Sequence, residues 1–130
     1  MADEYVQLDD GWTAVGPGGP NSGPGPRDAA GRIVPDKAKF PNGMKEVADY
    51  IHGKGLKLGI YTAPHGMTCA GFTGSLHNEA VDAQTFADWG VDFVKYDAGC
   101  QDDASLHDGT LLASIERMRD GLNAVSSAQK

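Results

Sequence analysis

Apolar and polar residues alternate along Tyr5-Val-Gln-Leu-Asp-Asp10, with Val6 and Leu8 on one face and Gln7 and Asp9 on the other, which predicts a short β-strand. The same period of two returns in Leu56-Lys-Leu-Gly-Ile-Tyr61 and in Val91-Asp-Phe-Val-Lys-Tyr-Asp97. Between the first two, the period lengthens to that of a helix. Met44, Val47, Ala48 and Ile51 fall at i, i+3, i+4 and i+7, with Asn42 as the expected N-cap and Gly53 or Gly55 as the stop. A second helix is expected over about 78–89, closed by Gly90, and a third over about 109–125, capped by Asp108 with Leu111, Ile115, Met118, Leu122 and Val125 along one side. Strand and helix thus alternate three times, the order of parallel βαβ units.

The two faces of these strands differ in kind. One carries Val6, Leu8, Leu58, Ile60, Val94 and Tyr96, which suits a layer of helices packed on a sheet. The other carries Gln7, Asp9, Gly59, Tyr61, Lys95 and Asp97. Burying those polar groups under a second helical layer is costly unless they are paired. Lining the mouth of a barrel removes the cost, so the pattern favours a (β/α) barrel over an open doubly wound sheet. From Thr13 to Lys39 the chain is rich in Gly and Pro, including Gly16-Pro-Gly-Gly-Pro20 and Gly23-Pro-Gly-Pro26, and reads as a long loop after the first strand. A loop of that length is either functional or a flexible linker.

Composition narrows the partners more than the fold. The 130 residues are 40% hydrophobic and 22% charged, the balance of a globular protein, and are read as a single domain over 1–130. A formal net charge of -7 argues against nucleic acid or an anionic membrane as partner, since both demand a basic face. No apolar run approaches the roughly 18 residues of a membrane-spanning helix. Met1-Ala-Asp-Glu4 has neither the basic nor the apolar region of a signal peptide. The two cysteines, Cys69 and Cys100, permit one disulfide or two thiols.

Candidate chemistry gathers at the C-terminal ends of the strands, where parallel α/β proteins place their sites. Asp9 and Asp10 end the first strand, Tyr61 the second and Asp97 the third. Lys95 shares the face of Asp97, so it either serves the site or simply neutralises that carboxylate; Asp10 has the plainer reading of capping a turn. Trp12, on the loop after the Asp pair, either stacks on a sugar or anchors its loop. His52, His65, His77 and His107 lack the spacing of a zinc motif, no phosphate-cradling glycine motif is present, and no cofactor is expected.

Six segments in order then resemble the melibiase-type α-galactosidases of glycoside hydrolase family 27: Tyr5 to Trp12, Arg27 to Pro35, Phe40 to Met44, Gly55 to Tyr61, Thr68 to Ser75, and Phe86 to Asp97. The resemblance implies three consecutive βα units of a partial (β/α)8 TIM barrel, from a retaining hydrolase of terminal α-galactosides in which Asp97 is the nucleophile. It implies that Asp9 and Asp10 bind galactose hydroxyls, that Lys95 contacts sugar and nucleophile, that Tyr61 lines the sugar face, and that Cys69 and Cys100 form a disulfide. It places the acid/base aspartate on a later strand, beyond Lys130, and the parent protein in a secreted or lysosome-like setting. Two departures stand out: Gly11 occupies a position often held by cysteine, and Asp97-Ala-Gly-Cys100 places the cysteine three residues after the nucleophile where the family usually has two. α-N-Acetylgalactosaminidase activity, a metal-dependent barrel enzyme using Asp9, Asp10, Asp97 and His65, and a sugar-binding half-barrel without turnover are the rival readings. An isolated piece of barrel should hydrolyse little and self-associate through its open sheet edges.

Overall fold

The computed structural model of the chain describes residues 4–19, 22–99 and 111–128, with side chains described through residue 125. Its elements follow the alternation of the sequence: β1 (Tyr5–Leu8), α1 (Met44–Gly53), β2 (Lys57–Thr62), α2 (Glu79–Trp89), β3 (Phe93–Tyr96) and α3 (Leu111–Ala128). The strands form one parallel sheet in the order β1-β2-β3. Leu8, Ile60 and Val94 share one register row, and Tyr61 pairs with Lys95 in the next. The alternation read from the sequence therefore sorts the side chains as expected, with the apolar row toward the helices.

That apolar face carries the core. Ile60 packs with Trp12, Ile33, Met44 and Phe86, while Leu58 packs with Ala48 and Ile51. Among the described residues, no helix lies on the opposite face. There Tyr5 and Phe93 are about half exposed, at 47% and 51%, and meet edge to face at 6.0 Å. Gly59 lies between Gln7 and Phe93, and a side chain on it would strike Gln7 Oε1.

Helix ends show where local reading succeeded. Gly90 closes α2 in the left-handed conformation (φ 84°), as its position predicts. Gly55 is likewise left-handed (φ 76°) just beyond α1. The N-terminus of α1 differs from expectation: Gly43 is the cap residue, and no side chain caps it, so Asn42 does not. In α3 the buried positions are Ser114 and Met118, while Leu111 and Ile115 are 42% and 39% exposed. The expected cap Asp108 lies outside the described residues.

The loop over 13–39 is folded, which removes the linker reading. Antiparallel bridges join Thr13 to Pro35 and Arg27 to Ile33. Arg27 then fastens the loop to the domain. Its Nη1 donates to Asp82 Oδ1 (2.6 Å) and its Nη2 to Asp82 Oδ2 (3.0 Å), while the carbonyls of Gly31 and Gly74 accept further bonds at 3.0 Å. Asp82, on α2, has no exposed surface and is matched by this planar fork.

Candidate active site

Because side chains alternate along parallel strands in register, Asp9, Tyr61, Lys95 and Asp97 all leave the C-terminal edge of the sheet on its uncovered face. Lys95 Nζ donates to Asp9 Oδ2 at 3.0 Å and lies 5.4 Å from the centre of the Tyr61 ring. The Asp10 backbone N–H, then Lys95, hold the Asp9 carboxyl below its ordinary range. The lysine charge is thus committed to Asp9, and the idea that Lys95 simply neutralises Asp97 does not describe the site.

Asp97 is half-buried and held at both oxygens. The Gly99 backbone N–H donates to Oδ1 (3.0 Å) and the Tyr61 hydroxyl to Oδ2 (3.3 Å), while the Asp97 N–H donates to the Thr62 carbonyl (3.0 Å). Burial, then the charges of Asp10 and Asp97, push the Tyr61 hydroxyl up to about 12, so it remains a donor throughout the neutral range. Cys69 Sγ lies 3.8 Å from Asp97 Oδ2. Cys69 is disulfide-bonded, and Cys100 lies outside the described residues. The result is a carboxylate fixed in rotation, on the same face of the sheet as the Asp9–Lys95 pair. Such a group can attack an electrophilic carbon while its neighbours hydrogen-bond the hydroxyls of a polar ligand.

Two expected residues behave differently. Trp12 is only 3% exposed: its Nε1 donates to the Tyr61 carbonyl (2.7 Å), and its ring packs edge to face on Phe86 and Trp89. It anchors the loop from beneath the sheet edge and offers no face to a sugar, because the apolar indole is more stable in the core beside two aromatics. Asp10 accepts at both oxygens from the loop after β2, from Thr68 Oγ1 (2.6 Å) and from the Ala70 N–H (2.8 Å). Among the described residues, no group of three or more His, Cys, Asp or Glu side chains is arranged to hold a metal ion, so Asp9, Asp10, Asp97 and His65 do not form the cation site of the metal-dependent reading. Nor is any described helix long and apolar enough to cross a membrane.

The family model described as alpha galactosidase A (Melibiase_2) matches residues 1–129. The chain belongs to this family, glycoside hydrolase family 27. It is 44% identical over 128 residues to alpha-galactosidase A of Homo sapiens, covering 97% of this chain and 27% of the human one. Over 94 residues it is 50% identical to alpha-galactosidase A of Cellvibrio japonicus, covering 72% and 20%. Among solved structures, α-galactosidase I of Mortierella vinacea superposes with a TM-score of 0.78 at 35% identity, covering 95% of this chain and 28% of that one. The α-galactosidase of Saccharomyces cerevisiae with raffinose superposes at 0.76 with 37% identity, covering 95% and 25%. The chain spans about a quarter of the length of these family 27 relatives.

Two participants in the site were not singled out from the sequence of this family 27 chain, and a third was given another role. The Gly99 N–H and the Thr68–Ala70 clamp act through backbone groups or small hydroxyls, which leave no compositional signal. His65 is the third: the sequence offered it as a metal ligand, whereas the structure buries it (3% exposed) with its Nε2 on the Ala98 carbonyl, next to Asp97.

Proposed function

We propose that the chain is the nucleophile-bearing section of a retaining α-galactosidase, comprising three consecutive βα units of a (β/α)8 barrel. The observation that carries this reading is the Asp97 carboxylate at the end of β3, oriented by Tyr61 and Gly99 beside the Asp9–Lys95 pair. In the parent enzyme, Asp97 attacks the anomeric carbon of a terminal α-galactoside while a second carboxyl protonates the departing oxygen. Water then cleaves the β-galactosyl ester with the same second group acting as base, and the configuration is retained. Retaining chemistry needs the two carboxyl groups about 5–5.5 Å apart. Asp10 is a poor second group because both of its oxygens are engaged by Thr68 and Ala70. The family resemblance implies that the acid/base comes from a later strand of the barrel.

Galactose is the sugar favoured by the names of the relatives above, and the yeast relative was solved with raffinose. The disulfide at Cys69 suits an oxidising setting, consistent with a secreted or lysosome-like parent protein. The test is turnover of an aryl α-galactoside by the full-length parent. Asp97→Asn should lower kcat by on the order of 10³-fold or more, and the first sugar released by the unaltered protein should be the α-anomer. Undiminished turnover by Asp97→Asn, or release of the β-anomer, would refute the assignment.

A further inference from the structure

A buried histidine holds the first peptide of the loop that follows Asp97. His65 Nε2 lies 3.3 Å from the Ala98 carbonyl oxygen. A carbonyl oxygen only accepts, so Nε2 carries the proton and donates. The other ring nitrogen, Nδ1, is buried without a hydrogen-bond partner among the described residues. Among the described residues, the bond to Ala98 is therefore the one hydrogen bond this imidazole makes.

What that bond fixes is the peptide between Ala98 and Gly99. The carbonyl of this peptide is the group His65 holds, and its N–H is the Gly99 donor that reaches Asp97 Oδ1 at 3.0 Å. In a planar trans peptide, C=O and N–H point in opposite directions, so fixing one aims the other. Accepting a hydrogen bond at the carbonyl also polarises the unit and strengthens its N–H as a donor. His65 itself stands on rigid ground. Its backbone carbonyl accepts from the Leu76 N–H (3.2 Å), and Gly74 packs so closely on the His65 carbonyl that a side chain at 74 would collide with it.

We propose that His65 is a positioning residue for Asp97: it pins the Ala98–Gly99 peptide, which locks one carboxylate oxygen of the nucleophile and leaves the other beside Tyr61. The proposal rests on the reading of Asp97 as nucleophile.

The test compares His65→Ala, His65→Asn and His65→Gln in the full-length parent protein. The amide nitrogen of Gln sits the same number of bonds from Cβ as Nε2, whereas that of Asn matches Nδ1. On an aryl α-galactoside, the Ala and Asn variants should lose about 10- to 100-fold in kcat with KM changed less than about threefold, the pattern of a lost transition-state contact. His65→Gln should recover to within about fivefold of the unaltered protein, because its amide N–H can donate to the Ala98 carbonyl in place of Nε2. Equal loss in Gln and Asn, or full activity in Asn, would overturn the proposal. Crystal structures of the Asn and Gln variants supply a readout independent of turnover: the Gly99 N–H should remain on Asp97 Oδ1 with Gln and turn away with Asn. A Gly99 N–H still on Oδ1 in the Asn variant would contradict the proposal even if the unaltered parent were inactive, which is the outcome that would instead count against the nucleophile reading.

Discussion

At the scale of single residues, the site is a division of hydrogen-bonding duties. Lys95 serves Asp9, Thr68 and Ala70 serve Asp10, and Tyr61 and Gly99 serve Asp97. This leaves Asp97 with donors on both oxygens. Removing the Tyr61 hydroxyl by Tyr61→Phe should therefore lower kcat of the parent enzyme by about tenfold, the worth of one hydrogen bond to a charged group. The same hydroxyl has a pH signature. Its pKa is raised from 10.0 in a free tyrosine to about 12 in the folded chain, so the folded state holds the proton more tightly than the unfolded state. Its contribution to stability is complete below about pH 10 and is lost as pH rises toward 12. Chemical denaturation across that window should show stability falling with pH, and the fall should be shallower in Tyr61→Phe. An identical slope in both proteins would contradict the assignment.

At the scale of elements, the segments that could be read from sequence are those whose reasons are local. The alternation that put Leu8, Ile60 and Val94 in one row, and Tyr61 beside Lys95 in the next, is a property of strand geometry alone. Gly90 was legible for the same reason, because a left-handed residue ends a helix wherever it occurs. Trp12 was not, since a loop has no period to say which way an aromatic points, and its partners Phe86 and Trp89 are more than seventy residues away in sequence. Asp10 and the Thr68–Ala70 clamp were hidden by the same long separation. The apolar stripe of α3 misled at Leu111 and Ile115: α3 packs on α2, and the positions buried are Ser114 and Met118.

The 13–39 loop shows the same limit with a larger energetic consequence. Arg27 reaches 55 residues along the chain to Asp82, and Asp82 is fully buried. Removing one partner of a buried pair leaves an uncompensated charge, at a cost of about 3–5 kcal/mol. Arg27→Ala should lower the unfolding free energy by that amount and expose the loop to proteolysis between residues 13 and 39. Adding Asp82→Ala should recover part of the loss. A change below about 1 kcal/mol in the single variant would show that the fork does not hold the loop.

At the scale of the molecule, the described helices cover one face of the sheet and leave the other open. The two outer strands, β1 and β3, each present an unpaired edge within the described sheet. A closed barrel would cover all three surfaces at once, which is the physical reason to place these units in one. The 130-residue chain on its own should therefore elute from a sizing column as larger than a monomer and turn over aryl α-galactosides little or not at all. A compact monomer would count against open edges, and robust turnover would show that the chain contains its own acid/base.

The central claim is that Asp97 carries the sugar, and covalent trapping tests it most directly. The full-length parent is incubated with a fluorinated α-galactoside that forms the glycosyl-enzyme quickly and releases it slowly, then digested and mapped by mass spectrometry. The account predicts one galactosyl adduct, on Asp97 of the peptide that contains Val91 to Gly99. An adduct on Asp9, Asp10 or any other carboxylate, or an active enzyme that forms no adduct, would contradict it.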